Sequence, residues 1–162
     1  MSDLADYIQA GRSIRIDTPL GPDVLLTERI VLREMVNGLF EVRVDVRSKR
    51  SDLKPAEIVG KLADVSLDLD GAGTMRIWNG LVVEMHEAPH VMRGSRIYSL
   101  VMRPQLWLLS QKSDCRIWQD KTAIDVLKTL MAEHDLPPAE LMLHDIVPPQ
   151  HYSVHWNETD LD

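Results

Sequence analysis

The sequence predicts a mainly β domain with minor α content: an antiparallel β-barrel, or a closed sandwich, with one short helix inserted and one helix towards its C-terminal end. Three observations carry this. Apolar and polar residues alternate with a period of two in several short runs, most cleanly at Phe40, Val42, Val44 and Val46 against Glu41, Arg43, Asp45 and Arg47. Turn signals such as Asn37-Gly38 and Asp70-Gly71-Ala72-Gly73 separate those runs. The strand-helix-strand alternation of a parallel α/β fold is missing.

Taken in order, Leu4, Tyr7 and Ile8 are spaced for one loose helical turn before Gly11, so residues 1–12 read as a flexible lead-in. Ser13 to Asp17 alternates and forms the first strand, which the Thr18-Pro19-Leu20-Gly21-Pro22-Asp23 loop ends. Extended chain resumes from Val24 to Met35, and Asn37-Gly38 predicts a tight hairpin into the Phe40–Val46 strand. Leu53 to Val59 suits a short helix with Pro55 in its first turn and Gly60 at its end. Ala63, Val65, Leu67 and Leu69 then alternate with acids or serine. Met75 to Glu87 forms the return strand, with a bulge expected near Asn79-Gly80 and a loop from Ala88 to Ser95.

The run from Arg96 to Arg103 is apolar on both faces, with Ile97 and Val101 on one side and Tyr98, Leu100 and Met102 on the other. It is therefore a central strand, and Pro104 stops it. A corner follows, with Trp107 and Trp118 placed to seal the core beside Leu106, Leu108 and Leu109. From Thr122 a helix shows Ile124, Leu127, Leu130 and Met131 on one face and a capping box formed with Asp125. His134 falls in its last turn, and Asp135 occupies the position where a terminating glycine is commonest. His151 to Trp156 is a strand. Asn157 to Asp162 has the cap and acidic first turn of a helix start without a helix body, which reads as a fragment cut near a domain boundary.

Composition narrows the function. Over 162 residues, 44% hydrophobic and 27% charged content fits an ordinary folded domain, with no apolar run of membrane-spanning length. The acidic N-terminus carries no secretory signal, so synthesis in the cytosol is expected, and the lone Cys115 agrees with a reducing compartment. A net charge of −7 argues against general nucleic-acid binding. The chemical motifs are weak. His151 and His155 have zinc-ligand spacing only on a helix, and here they lie on a strand, roughly 13 Å apart. His86 and His90 flank Pro89 as turn histidines, and Cys115 reads as a half-buried structural thiol beside Trp118. Asp64, Asp68 and Asp70 lack the ligand pattern of a calcium loop, and Ser2, Ser95 and Ser99 lack a nucleophile motif. Arg43, Arg47, Lys49 and Arg50 form a small basic cluster suited to a soluble edge or a protein contact. No catalytic, cofactor or metal residue is assigned, and the chain is not read as an enzyme.

The order Leu100-Val-Met-Arg-Pro-Gln-Leu-Trp-Leu-Leu-Ser, Ser113-Asp-Cys-Arg-Ile-Trp-Gln and His134-Asp-Leu136 resembles the N-terminal part of the VgrG family, the spike proteins of bacterial type VI secretion systems, which are similar to the hub of contractile phage tails. Ile16-Asp-Thr-Pro-Leu-Gly21, Arg33-Glu34, Gly38-Leu-Phe-Glu41, the stretch Leu62 to Val83 and Glu158-Thr-Asp-Leu-Asp162 extend the likeness over nearly the whole chain. Asn37-Gly38, Gln105 and Asp135 depart from the family pattern. The resemblance implies a phage tail hub-like or Hcp-like barrel at 13–119, with 120–162 as a helix and connector leading towards a second barrel. It implies signature positions of structural rather than chemical role at Pro19, Gly21, Leu39, Phe40, Arg103, Pro104, Trp107, Arg116 and Trp118. It further implies a homotrimeric collar docked on the Hcp tube and baseplate proteins. A PAAR tip and effectors would be carried by later parts of such a chain, which is assembled in the bacterial cytoplasm and then secreted or injected. No nucleic acid and no stable membrane insertion are expected. A small β-barrel module for oligosaccharide or single-stranded nucleic acid is the rival reading, and it requires an exposed aromatic strip. A hydrolase is the third, and it requires a converged nucleophile, histidine and carboxylate.

Overall fold

The computed structural model describes residues 7–92, 94–145 and 148–162. Two compact units divide between Pro104 and Gln105, ahead of the 119/120 boundary drawn from sequence. In the first unit β1 (Ile14–Asp17), β2 (Leu26–Arg33), β3 (Glu41–Ser48), β4 (Leu62–Asp68), β5 (Met75–Met92) and β6 (Ser95–Arg103) form an antiparallel six-stranded sheet in the order β1-β4-β5-β6-β3-β2. The two end strands, β1 and β2, lie against each other, so the sheet curls into a nearly closed barrel. Side chains from the lead-in lace the seam. Gln9 bonds Ile16 through both ends of its amide, accepting from its N–H at 2.8 Å and donating to its carbonyl at 2.9 Å, and Arg12 donates to the Thr27 carbonyl at 2.8 Å. Groups left free at a sheet edge are thereby satisfied. Of the expected lead-in turn, Leu4 lies outside the described residues.

The alternation in β3 builds the core. Val42 pairs with Met102, Val44 with Leu100 and Val46 with Tyr98, and all six side chains are buried. Fully burying each such aliphatic side chain contributes about 1.5–3 kcal/mol. Ile16, Val65, Trp78 and Val82 complete the lining, with Leu53 and Ile58 beside it. β6 is central, as its two-faced apolar pattern predicts, and Val101 on its outer face is also buried.

Several local expectations change. The Asn37-Gly38 hairpin exists, but the last β2–β3 pair is Arg33 with Glu41, so the loop is longer than two residues, and only Asn37 takes a left-handed backbone, at φ 57°. The helix expected over Leu53 to Val59 contracts to a 3-10 turn at Pro55–Glu57, because Gly60, at φ 79°, cuts the segment too short to repay nucleation. The bulge expected near Asn79-Gly80 lies elsewhere: β5 shifts register between Val82 and Glu84 and again between Glu87 and Val91. Pro89 occupies that second gap, where its missing N–H costs no ladder bond. The loop expected from Ala88 is therefore strand to Met92. Gly80 instead marks a close approach, since a Cβ there would stand 2.9 Å from the Arg103 carbonyl oxygen.

The second unit holds a 3-10 helix (Gln105–Gln111), β7 (Ser113–Lys121), α1 (Ala123–Glu133) and β8 (Gln150–Thr159). β7 and β8 pair with each other as an antiparallel ribbon. The expected corner is the 3-10 helix. Leu109, Met131 and Leu136 seal this unit, with Leu108, Leu127 and Ala139 against them, while Trp107 and Trp118 are only half-buried. At the start of α1 the Thr122 hydroxyl accepts from the Asp125 N–H, and the Asp125 carboxylate accepts from the Thr122 N–H. At its end Asp135 has φ 52°, Asp135 N–H bonds the Ala132 carbonyl and Leu136 N–H bonds the Met131 carbonyl. These are the two bonds of a Schellman cap, with aspartate in the glycine position. The helix start expected at Asn157 is strand through Thr159, and the capping geometry begins only there, with Asp162 accepting from the Thr159 N–H and hydroxyl.

Candidate functional site

Three surfaces stand out among the described residues, two on the second unit and one on the barrel. The first is the open face of the β7–β8 ribbon. Register places Cys115 opposite Trp156, Ile117 opposite Val154 and Gln119 opposite Tyr152. Alternation puts this set on one side, where Trp156 is 75% exposed, Ile117 61%, Tyr152 55% and Val154 42%. Cys115 is itself exposed, which corrects the expected half-buried thiol, because strand pairing turns it away from Trp118. The other side of the ribbon carries Arg116, Trp118 and His155, with the Trp118 and His155 rings edge-to-face at 6.1 Å.

The second is an ionic clasp on that covered side. Asp160, with only 3% of its side chain exposed, accepts from His134 at 2.8 Å and lies 3.6 Å from Arg116, which also holds Glu133 at 2.5 Å. Its bond to Glu133 raises the Arg116 pKa. A carboxylate this buried needs such partners, and they tie β7, the end of α1 and the residue after β8 together.

The third lies on the outside of the barrel. Arg29, Val31 and Arg33 of β2 and Arg43 and Asp45 of β3, with Ser99 of β6, line an open hollow of about 430 Å³. Arg43 bonds Glu41 at 2.8 Å, and that bond, helped by Arg103, holds the Glu41 carboxyl below the usual carboxylate range. The basic cluster read from sequence does not form a patch. Arg47 is buried on Glu28 at 2.8 Å, Lys49 stands over the Tyr7 ring at 4.5 Å, and Arg50 bonds Asp52 and Glu57. The hollow was missed because its arginines come from two strands, although the period-two spacing of Arg29, Val31 and Arg33 was its signal.

The signature positions fall into two groups. In the first unit, Gly21 (φ 99°) closes a turn by bonding Thr18 O at 3.1 Å, with Pro19 inside that turn. Leu39 and Phe40 lead into β3, and Phe40 packs on the core and approaches within 3.5 Å of where a Gly80 Cβ would lie. Arg103 ends β6 with a 2.8 Å bond to Glu41, and Pro104 follows it. In the second unit, Trp107 accepts from the Ser110 hydroxyl through its carbonyl, Arg116 joins the clasp, and Trp118 meets His155 edge-to-face. The motif residues stay apart. His151 bonds Asp120, His86 bonds Glu84, Asp64 accepts from Asn79, and Asp68 and Asp70 accept from backbone in their own turn. Ser2 and the His90 side chain lie outside the described residues. Among the described residues no group of three His, Cys, Asp or Glu is placed to hold a metal, and no helix is long and apolar enough to cross a membrane.

Comparison with known proteins places this geometry. The family of phage tail baseplate hub proteins (GPD) matches residues 33–162. The type VI secretion system spike protein VgrG1a of Pseudomonas aeruginosa is 32% identical over 156 residues, 96% of this chain and 24% of that protein. VgrG1c of the same organism is 30% identical over 96% of this chain and 21% of its own length. The chain thus spans about a quarter of these relatives. A solved structure of the E. coli c3393 protein, described as a type VI secretion system component with structural similarity to the T4 bacteriophage tail proteins gp27 and gp5, superposes with a TM-score of 0.72. It does so at 17% identity over 94% of this chain and 39% of that one, a likeness of fold.

Proposed function

Since the chain belongs to the phage tail baseplate hub (GPD) family, we propose that it is the first barrel of a type VI secretion spike and that its role is structural rather than catalytic. In this reading three copies form a collar that docks on the Hcp tube and baseplate proteins, while later parts of the chain carry the needle, the PAAR tip and effectors. Assembly takes place in the bacterial cytoplasm, and secretion or injection follows. The observation that carries the proposal is the family match running from 33 to 162 through both compact units. The fold suits the task. A nearly closed sheet leaves few free edges and resists shear, and a threefold ring needs heterologous contacts such as an open apolar face provides.

The open ribbon face carries Trp156 and Tyr152, the kind of exposed aromatics a ligand-binding barrel would need. Its neighbours Asp114, Asp120 and Glu158 are acidic, which opposes a nucleic-acid backbone, and its mixture of aromatic and aliphatic groups is that of a protein interface. The test joins this segment to the remaining length that its relatives possess and measures co-sedimentation with assembled Hcp tubes. Binding that is lost when Trp156 and Ile117 become serine supports the collar reading. A chain that stays in the supernatant overturns it.

A further inference from the structure

In a chain with 25 acidic and 18 basic residues, an arginine normally finds a carboxylate. Arg12 and Arg47 share Glu28, Arg50 takes Asp52 and Glu57, Arg76 takes Glu34, Arg96 takes Glu87, Arg103 takes Glu41 and Arg116 takes Glu133. Arg29 and Arg33, like Arg15, form no ion pair among the described residues, although the register sets Asp45 opposite Arg29 and Glu41, the partner of Arg43, opposite Arg33. Arg29 and Arg33 are both exposed, both point out of β2, and the β2–β3 register sets Val31 between them opposite Arg43. Two strand residues four apart are separated by roughly 13 Å. That is the repeat over which an extended peptide presents side chains at i and i+4 on one face, with Arg43 near the midpoint. The guanidinium fork binds carboxylates through paired hydrogen bonds.

We propose that the outer face of β2 and β3 docks an extended acidic segment of a protein partner, whose alternate Asp or Glu side chains meet Arg29, Arg43 and Arg33. Ser99 and Val31 also line the hollow. Asp45 within the hollow and Glu41 beside Arg43 oppose a uniform run of phosphates. A peptide can answer them by placing uncharged residues between its acids. The proposal rests on charge placement alone and stands whether or not the collar reading does.

The test titrates the isotope-labelled 162-residue chain with a six-residue peptide in which glutamate alternates with serine, at low salt, following backbone amide shifts. The expected result is saturable shifts confined to Arg29–Arg33, Arg43, Asp45 and Ser99, weakening with added salt. Arg29→Ala with Arg33→Ala should raise the dissociation constant at least about tenfold, and Arg29→Lys with Arg33→Lys, which keeps the charge and loses the fork, by about threefold. Lys61→Ala with Lys128→Ala removes the same charge elsewhere and should leave binding within about twofold of the unsubstituted chain. Four outcomes overturn the proposal: no saturation, equal weakening by the Lys61 and Lys128 pair, a single-stranded oligonucleotide binding the same amides more tightly than the alternating peptide, or salt-sensitive self-association that Arg29→Ala with Arg33→Ala abolishes.

Discussion

Single residues set the tolerances of this barrel. Gly80 has no side chain because the Arg103 carbonyl occupies the space, at 2.9 Å from a built Cβ, and backbone cannot yield as a flexible side chain would. Gly80→Ala should therefore destabilise the first unit by about 1–3 kcal/mol, read as a lower urea midpoint with unchanged m. Asp70 is a case in charge. Its carboxylate accepts from the Thr74 hydroxyl and from the Ala72 and Thr74 N–H groups, which lowers its pKa from 3.8 to about 2. A pKa depressed on folding gives stability that is complete above the unfolded value and is lost as pH falls through the folded one. Thermal unfolding should thus show a stability loss between about pH 4 and pH 2 that is shallower in Asp70→Ala; identical slopes would contradict this assignment. Glu57 and Asp125, lowered by their bonds to the Lys54 N–H and the Thr122 hydroxyl, act with the same sign.

Elements were legible in proportion to how local their signals are. The α1 cap at Thr122 and Asp125, the terminating Asp135, the β3 alternation and the stop at Pro104 are each decided within a few residues, and each stands where the sequence put it. The failures depend on partners distant in sequence. Strand β5 runs past Glu87 because β6 pairs with it out to Met92, and Gly80 reads as a bulge until the chain that crowds it is known. The basic hollow needs the β2–β3 register, and Cys115 is exposed because of the strand it pairs with. A two-stranded ribbon with one open apolar face has little of its own to hold it. Amides of β7 and β8 should exchange hydrogen faster than those of β3 and β6, whose facing side chains Val44 and Leu100 are fully buried. Protection of the ribbon equal to that of the barrel strands would show that its open face is covered in solution.

At the scale of the molecule, the sequence announced an antiparallel closed sheet and a hub-like identity, and both stand: the six strands curl into a nearly closed barrel and the family match spans residues 33–162. What no single sequence displays is which outer faces meet other chains, since surface side chains are free of the packing constraint that makes a core readable. Register alone brings out two outer faces, one apolar on the ribbon and one carrying Arg29, Arg33 and Arg43 on β2 and β3. The most direct measurement is the mass, by light scattering, of a spike chain that includes this segment at the length of its relatives. The account predicts three copies per particle; a particle of one copy at concentrations well above those of assembly would contradict it.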